Sequence, residues 1–271
     1  MLVRPAPEAQ PGPAIALMYH ALDAGQDAHG GDLQGQDRHY TLSVEDFRRQ
    51  LEQIARDAGA VVSARDWLAR THAGRVLLTF DDGHISNYCL AFPMLLERGM
   101  RADFFVNPAN VGKPGFADWP QLRQMAAAGM SIQSHGYDHR YLTHLAPDEL
   151  RESLHAARIE IQDRIGAPVT LLAPPGGRMP KGLDEIARAC GYSHVLGSRP
   201  GRLRRGNANR ALPRLAVTAD MSDQELAQWL TGRSGPILKR ALRYHTLALA
   251  KRLLGDALYE RARARALARG D

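Results

Sequence analysis

Cysteine is almost absent from this chain: Cys89 and Cys190 are its only two among 271 residues. That is far too few for a disulfide scaffold, so a hydrophobic core must carry the fold, with a single bridge between the pair left open. Aromatic residues are also sparse, at 6%, and they do not alternate with basic residues as a nucleic-acid platform would require. No apolar run approaches the roughly 20 residues of a membrane-spanning helix. The opening MLVRPAPEAQPGPAIALMYH is studded with proline. Its apolar stretch is short and lacks a cleavage site, which excludes an obvious secretory signal and makes the cytoplasm the expected compartment.

What is present is enough for a full core. Hydrophobic residues make up 44% of the chain, and at this length folding buries about 70–75% of the unfolded surface. The formal net charge of +6 is unevenly placed: from Arg233 to Asp271 there are ten Lys/Arg and three acids, a net of +7, which leaves −1 on residues 1–232. A neutral body with a basic arm is the reading, not a nucleic-acid binder.

Patterning predicts alternating strands and helices. Residues 1–13 are proline-rich and irregular. AIALMY (14–19) reads as a strand, and residues 21–41, rich in Gly, Asp and Gln, read as a long loop. Ser43 caps a helix that carries Phe47, Leu51 and Ile54 at helical spacing. Strands at 61–62, 76–80, 102–106, 131–134, 169–173, 194–197 and 214–217 then alternate with helices that mostly stop at glycine (Gly99, Gly129, Gly166, Gly191). Seven or eight such units favour an α/β fold, a distorted (β/α)7-type barrel over about residues 14–220, followed by a basic helical extension over 221–271.

Every polar cluster follows a strand, where such barrels keep their chemistry. TFDDG (79–83) places two adjacent carboxylates at a strand end, so one can bind a cation while the other stays free to take a proton; alone, an Asp-Asp-Gly is more often a turn. SHGYDH brings His135 and His139 four residues apart, a spacing that lets two imidazoles converge on one metal ion. With Asp82 they form a two-histidine, one-carboxylate set suited to Zn²⁺ or another first-row divalent ion. His144 is left as structural. LLAPPGGR (171–178) is a stiff loop whose glycines let a backbone N–H approach a ligand closely. His20 ends the first strand.

These motifs, in this order, resemble the polysaccharide deacetylases of the NodB-homology type, carbohydrate esterase family 4. The resemblance covers about residues 14–218. The leading MYH and the YTLSVEDFRRQLEQI segment are similar to the branch of exopolysaccharide and poly-N-acetylglucosamine deacetylases. It implies a distorted barrel, a divalent metal ion (Zn²⁺, with Co²⁺ or Ni²⁺ as alternatives) and hydrolysis of N-acetyl groups on an amino-sugar polysaccharide or its precursor. Carried over by position, Asp81 is the general base, and Asp82, His135 and His139 are the metal ligands. The backbone N–H of Gly176 is the oxyanion donor, and His20 is the acid for the leaving amine.

Two departures from the family pattern stand out. Most members place an arginine at the position of Ala173, paired with the base aspartate; Arg178 and Arg214 are the candidate substitutes. The usual late Leu-x-His motif is missing, and His194 and His245 have the wrong surroundings, which moves the acid role to His20. Two alternatives stay open: a catalytically silent carbohydrate-binding barrel, and a deacylase acting on O-acetyl or N-formyl sugars. In the basic arm, Leu242, Leu249, Leu253 and Leu254 share a helical face opposite cations. That suits either packing on the barrel, dimer formation, or peripheral contact with an anionic membrane. Oligomeric state is not specified by the sequence.

Overall fold

The computed structural model describes residues 14–25, 38–70, 74–204 and 211–254, with backbone alone over 247–254. Its strands are β1 (Ile15–Tyr19), β2 (Leu22–Asp23), β3 (Leu42–Ser43), β4 (Val61–Val62), β5 (Val76–Phe80), β6 (Ala102–Val106), β7 (Ser131–Ser134), β8 (Leu171–Leu172), β9 (His194–Val195) and β10 (Leu215–Ala216). Eight of them make one sheet in the order β10-β1-β5-β6-β7-β8-β9, with β4 beside the start of β5. Every pairing in it is parallel. The sheet curls into a half-barrel wrapped by helices. A parallel bridge between Leu196 and Leu212 ties the β9 edge to the segment entering β10.

The helices are α1 (Val44–Asp57), α2 (Ala64–Leu68), α3 (Phe92–Glu97), α4 (Trp119–Ala127), α5 (Pro147–Ile165), α6 (Leu183–Ala189), α7 (Asp223–Leu230) and α8 (Ser234–Leu254). Their starts follow local chemistry. Ser43 accepts the Asp46 N–H and Ser63 the Asp66 N–H, while Asp118 and Gln121 form a reciprocal capping box. Gly166, in the left-handed conformation at φ 73°, ends α5.

Strand alternation sorts the core into two layers. Ile15, Leu17, Tyr19, Val76, Leu78, Phe80 and Phe104 face the helices and meet Phe47, Leu51 and Ile54 of α1. Ala16, Leu77, Phe105, Leu171 and Ala173 form a second apolar cluster with Trp67, on the opposite face of the sheet. Fully burying each large apolar side chain contributes about 1.5–3 kcal/mol.

Some expectations needed adjustment. The segment read as a loop over 21–41 begins with β2, which pairs with β3 beyond it; residues 26–37 and 1–13 lie outside the described residues. The helix expected from Tyr88 opens as a π-turn, Asn87–Ala91, before α3. Both cysteines are free, which closes the question of a bridge. At the C-terminal end, Leu226, Trp229, Leu230 and Ile237 join the main core, and Arg240 pairs with Glu225 of α7, so the extension is docked on the barrel at least this far. Leu238 and Leu242 are exposed at 70% and 65%. The side chains of Leu249, Leu253 and Leu254, expected to continue that face, lie outside the described residues.

Candidate active site

The period of two that buries Leu77 and Thr79 on the inner side of β5 carries one step past the strand to Asp81, which is buried. The same logic along β7 takes Ser131 and Gln133 to His135, also buried. Two residues leave the extended conformation to join them: Asp82, at φ 74°, and His139, at φ 65°. Left-handed backbone at a non-glycine residue costs about 1 kcal/mol or more. Here it turns Asp82 away from its neighbour. Gly83 follows, also at positive φ, where an added Cβ would lie 3.0 Å from Val106 Cγ1.

The outcome is a tight cluster. Asp82 Oδ1 lies 3.2 Å from His135 Nε2 and 3.0 Å from His139 Nε2. One donor atom from each of the three falls within 4.8 Å of the others, as a shared cation requires. Burial pushes the Asp82 carboxyl up, but the hydrogen bonds from His135 and His139 overcome it and hold the group well below its ordinary value. An ionised carboxylate with two imidazole nitrogens converging on one point fits a first-row divalent ion. His135 is held through its backbone, since Asn107 donates to its carbonyl. Its buried Nδ1 has no hydrogen-bond partner within the described residues.

Asp81 stands outside this cluster and belongs to Arg214. The guanidinium donates Nη1 to Oδ1 at 2.6 Å and Nη2 to Oδ2 at 2.7 Å, a bidentate fork across 133 positions of sequence. Arg214 is itself fixed: Nε donates to Gly197 O, Nη1 reaches Thr79 Oγ1, and the group sits 5.3 Å over the Phe105 ring. Burial raises the Asp81 carboxyl, and Arg214, aided by His135 and His20, outweighs it, so the group ends below its ordinary value. Of the two arginines offered as substitutes, Arg214 is the one paired with Asp81. Arg178 is elsewhere, its guanidinium stacked 3.9 Å over the Tyr141 ring. Ala173, where the resemblance places an arginine, is buried in the inner apolar cluster that includes Phe105.

His20 ends β1 beside the pair, close enough for its charge to act on both Asp81 and Asp82. Asn87, first residue of the π-turn, donates to its carbonyl at 2.7 Å, and Tyr40 packs against its ring at 4.7 Å. Its buried Nδ1 has no hydrogen-bond partner among the described residues. Gly176 lies on the loop after β8 at φ 60°, exposed, in a 3-10 turn whose own bonds are Gly177 N–H to Pro174 O and Arg178 N–H to Pro175 O. His144 faces Tyr141 edge-on, away from the three ligand candidates in sequence and in role.

Residues 69–195 match the polysaccharide deacetylase family. That match covers 127 of the 271 residues, a little under half of the chain. YxkH, a protein of Bacillus subtilis carrying the same family description, is 30% identical over 155 residues, 57% of this chain and 56% of its own length. The chain spans about half the length of the curated relatives it matches. Among solved structures, the deacetylase PplD of Streptococcus pyogenes, in complex with acetate, superposes with a TM-score of 0.70 at 23% identity, over 81% of this chain and 98% of that one. IcaB from Ammonifex degensii gives 0.66 at 25% identity, over 81% and 96%. The (β/α)-barrel described above is the fold of these structures. Sequence motifs singled out the carboxylate pair, both imidazoles and His20, which the structure brings close together. They left Arg214 as one of two options, and gave no signal for Thr79, Phe105 and Gly197 as its supports.

Proposed function

We propose that this chain is a divalent-metal-dependent deacetylase that hydrolyses N-acetyl groups of an amino-sugar polysaccharide or its biosynthetic precursor. The observation that carries the reading is the division of labour between two adjacent carboxylates. Asp82 is turned into the His135/His139 cluster, while both oxygens of Asp81 are held by Arg214 and kept out of it. Neighbouring carboxyl groups in different environments are the mark of assigned acid–base roles.

Asp82, His135 and His139 would hold the ion, with zinc as the first choice and cobalt or nickel as alternatives. When bound, such an ion supplies Lewis-acid polarisation of the amide carbonyl and acidifies a water. The remaining steps fall to side chains and backbone. Asp81 takes the proton of the attacking water; the fork with Arg214 leaves a lone pair on each oxygen for it and keeps the group ionised at neutral pH. The Gly176 N–H donates to the oxyanion that develops on the former carbonyl oxygen. His20 gives a proton to the departing amine. The family match and the likeness to IcaB support a polysaccharide substrate. The silent-barrel alternative drew its force from a base without an arginine, and Arg214 removes that motive.

The test is acetate release from N-acetylated glucosamine oligomers. Chelation should abolish it, and added zinc or cobalt should restore it. Asp81→Asn should lower it by about 100-fold or more while the zinc content stays that of wild type. Asp82→Asn should lose both. Release of acetate from O-acetyl esters alone, or of formate from N-formyl sugars, would shift the substrate class instead. We extend the reading to the basic arm: the exposed Leu238 and Leu242, flanked by Lys239 and Arg243, suit peripheral contact with an anionic membrane.

A further inference from the structure

The loop carrying Gly176 has a mechanical difficulty. An oxyanion donor works only if held within a few tenths of an ångström of its place. Yet Gly176 is exposed, and the two glycines at φ 60° and 65° are the residues least able to hold a conformation by themselves. The hydrogen bonds of the 3-10 turn set its internal shape but not its position relative to the metal-ligand cluster.

Ser198 closes on one side of this turn, its Oγ occupying the place where a Cβ on Gly177 would stand, and the contact at Gly176 itself comes from the loop of His135 and His139. A Cβ built on Gly176 would lie 2.6 Å from Cε1 of Tyr141 and 3.2 Å from its Cδ1, so the tyrosine ring occupies the space that a side chain at 176 would fill. Arg178, two residues on, lays its guanidinium over the same ring at 3.9 Å. The ring is thereby gripped by the loop it supports. A second contact runs parallel, with Pro175 Cγ 3.6 Å from where a Cβ on Gly136 would stand. Tyr141 is only two residues beyond His139, so ring and imidazole share one short stretch of backbone.

Resting on the deacetylase reading above, we infer that Tyr141 is a positioning residue for the reaction: its ring, clamped by Arg178, fixes the Gly176 N–H relative to the His135/His139 pair. The contacts are made by ring carbons and the ring face, so the hydroxyl is dispensable. The glycine at 176 is required partly because the ring has taken its place.

The experiment compares wild type, Tyr141→Phe, Tyr141→Ala and Arg178→Ala on N-acetylated glucosamine oligomers. Tyr141→Ala should lower kcat by about 10–100-fold, the range for a misplaced donor, with KM within about threefold and zinc content unchanged. Tyr141→Phe should restore wild-type kcat to within about threefold, and Arg178→Ala should fall in between. Amide hydrogen exchange of residues 174–178 reads the same contact without turnover: faster in Tyr141→Ala, as in wild type for Tyr141→Phe. An unchanged kcat or unchanged exchange in Tyr141→Ala overturns the inference, as does a Phe variant as impaired as Ala or a loss of zinc that accounts for the lost activity. If Tyr141→Ala does not fold, Tyr141→Leu is judged by the same outcomes. A wild type that releases no acetate overturns the deacetylase reading, and exchange then decides the ring's role alone.

Discussion

Asp81 and Arg214 are both buried, and each has its charge answered chiefly by the other. Removing one partner of such a pair leaves an uncompensated buried charge, which costs about 3–5 kcal/mol. Arg214→Ala should therefore be strongly destabilising in urea titration, and the Asp81→Asn/Arg214→Ala double variant should recover a large part of the loss. A double variant as unstable as Arg214→Ala would show that the charge is not the issue. Arg214→Lys keeps the charge but not the fork, so it should protect stability better than activity. At this scale the chain was partly legible. Asp81 and Asp82 follow β5 and His135 and His139 follow β7, so each pair stands in a recognisable spacing at a single strand end. Arg214 arrives from the far end of the chain, and no local pattern marks which arginine will reach a given carboxylate.

Helices and strands answer to different signals. Ser43 announced its helix through side-chain capping, a rule read within four residues, and the structure shows Ser63 capping α2 in the same way. The start of α2 has a second support that is not local. Asp103, fully buried in β6, accepts the backbone N–H groups of Ala64 and Arg65. Burial pushes its carboxyl up to about 6, with those bonds and one from Ser131 pulling the other way. The folded chain then keeps this proton up to about pH 6, whereas the unfolded chain releases it near pH 4. The folded state binds more protons in that window, so stability falls as pH rises through it, by up to about 3 kcal/mol, and is level above. In Asp103→Asn this pH dependence should be absent, although the variant loses an acceptor and is less stable throughout. Denaturation of both proteins from pH 4 to 7 reads the difference in slope. The π-turn at Asn87–Ala91 was not legible in the local pattern, and the hydrogen bond it makes, from Asn87 to the carbonyl of His20, joins segments 67 positions apart.

For the molecule as a whole, the parallel sheet gathers the ends of β1, β5, β7 and β8 on one side and leaves the basic arm on the periphery. Trp229 of α7, fully buried, pins that arm to the barrel; Trp229→Ala should cost about 3–5 kcal/mol, measured by chemical denaturation. Beyond it, α8 exposes Leu238 and Leu242 in a segment of net +7 charge. Sedimentation with vesicles should show binding to anionic lipid, loss of binding in high salt, and little with neutral lipid. Leu238→Ser/Leu242→Ser should weaken it while acetate release from soluble oligomers is unaffected. Binding to neutral and anionic vesicles alike, or to neither, would discard a membrane role.

The sequence by itself determined the alternation of strands and helices, the strand-end placement of the polar clusters and the composition of the candidate metal-ligand set. Each is a matter of periodicity or spacing within a few residues, where backbone geometry leaves little freedom. Only the tertiary structure decided which guanidinium holds Asp81, that Asp103 supports α2, and that a ring from the histidine loop fills the space above Gly176. Those are contacts between segments whose separation along the chain carries no information. Their geometry is set by how the curled sheet brings strand ends together.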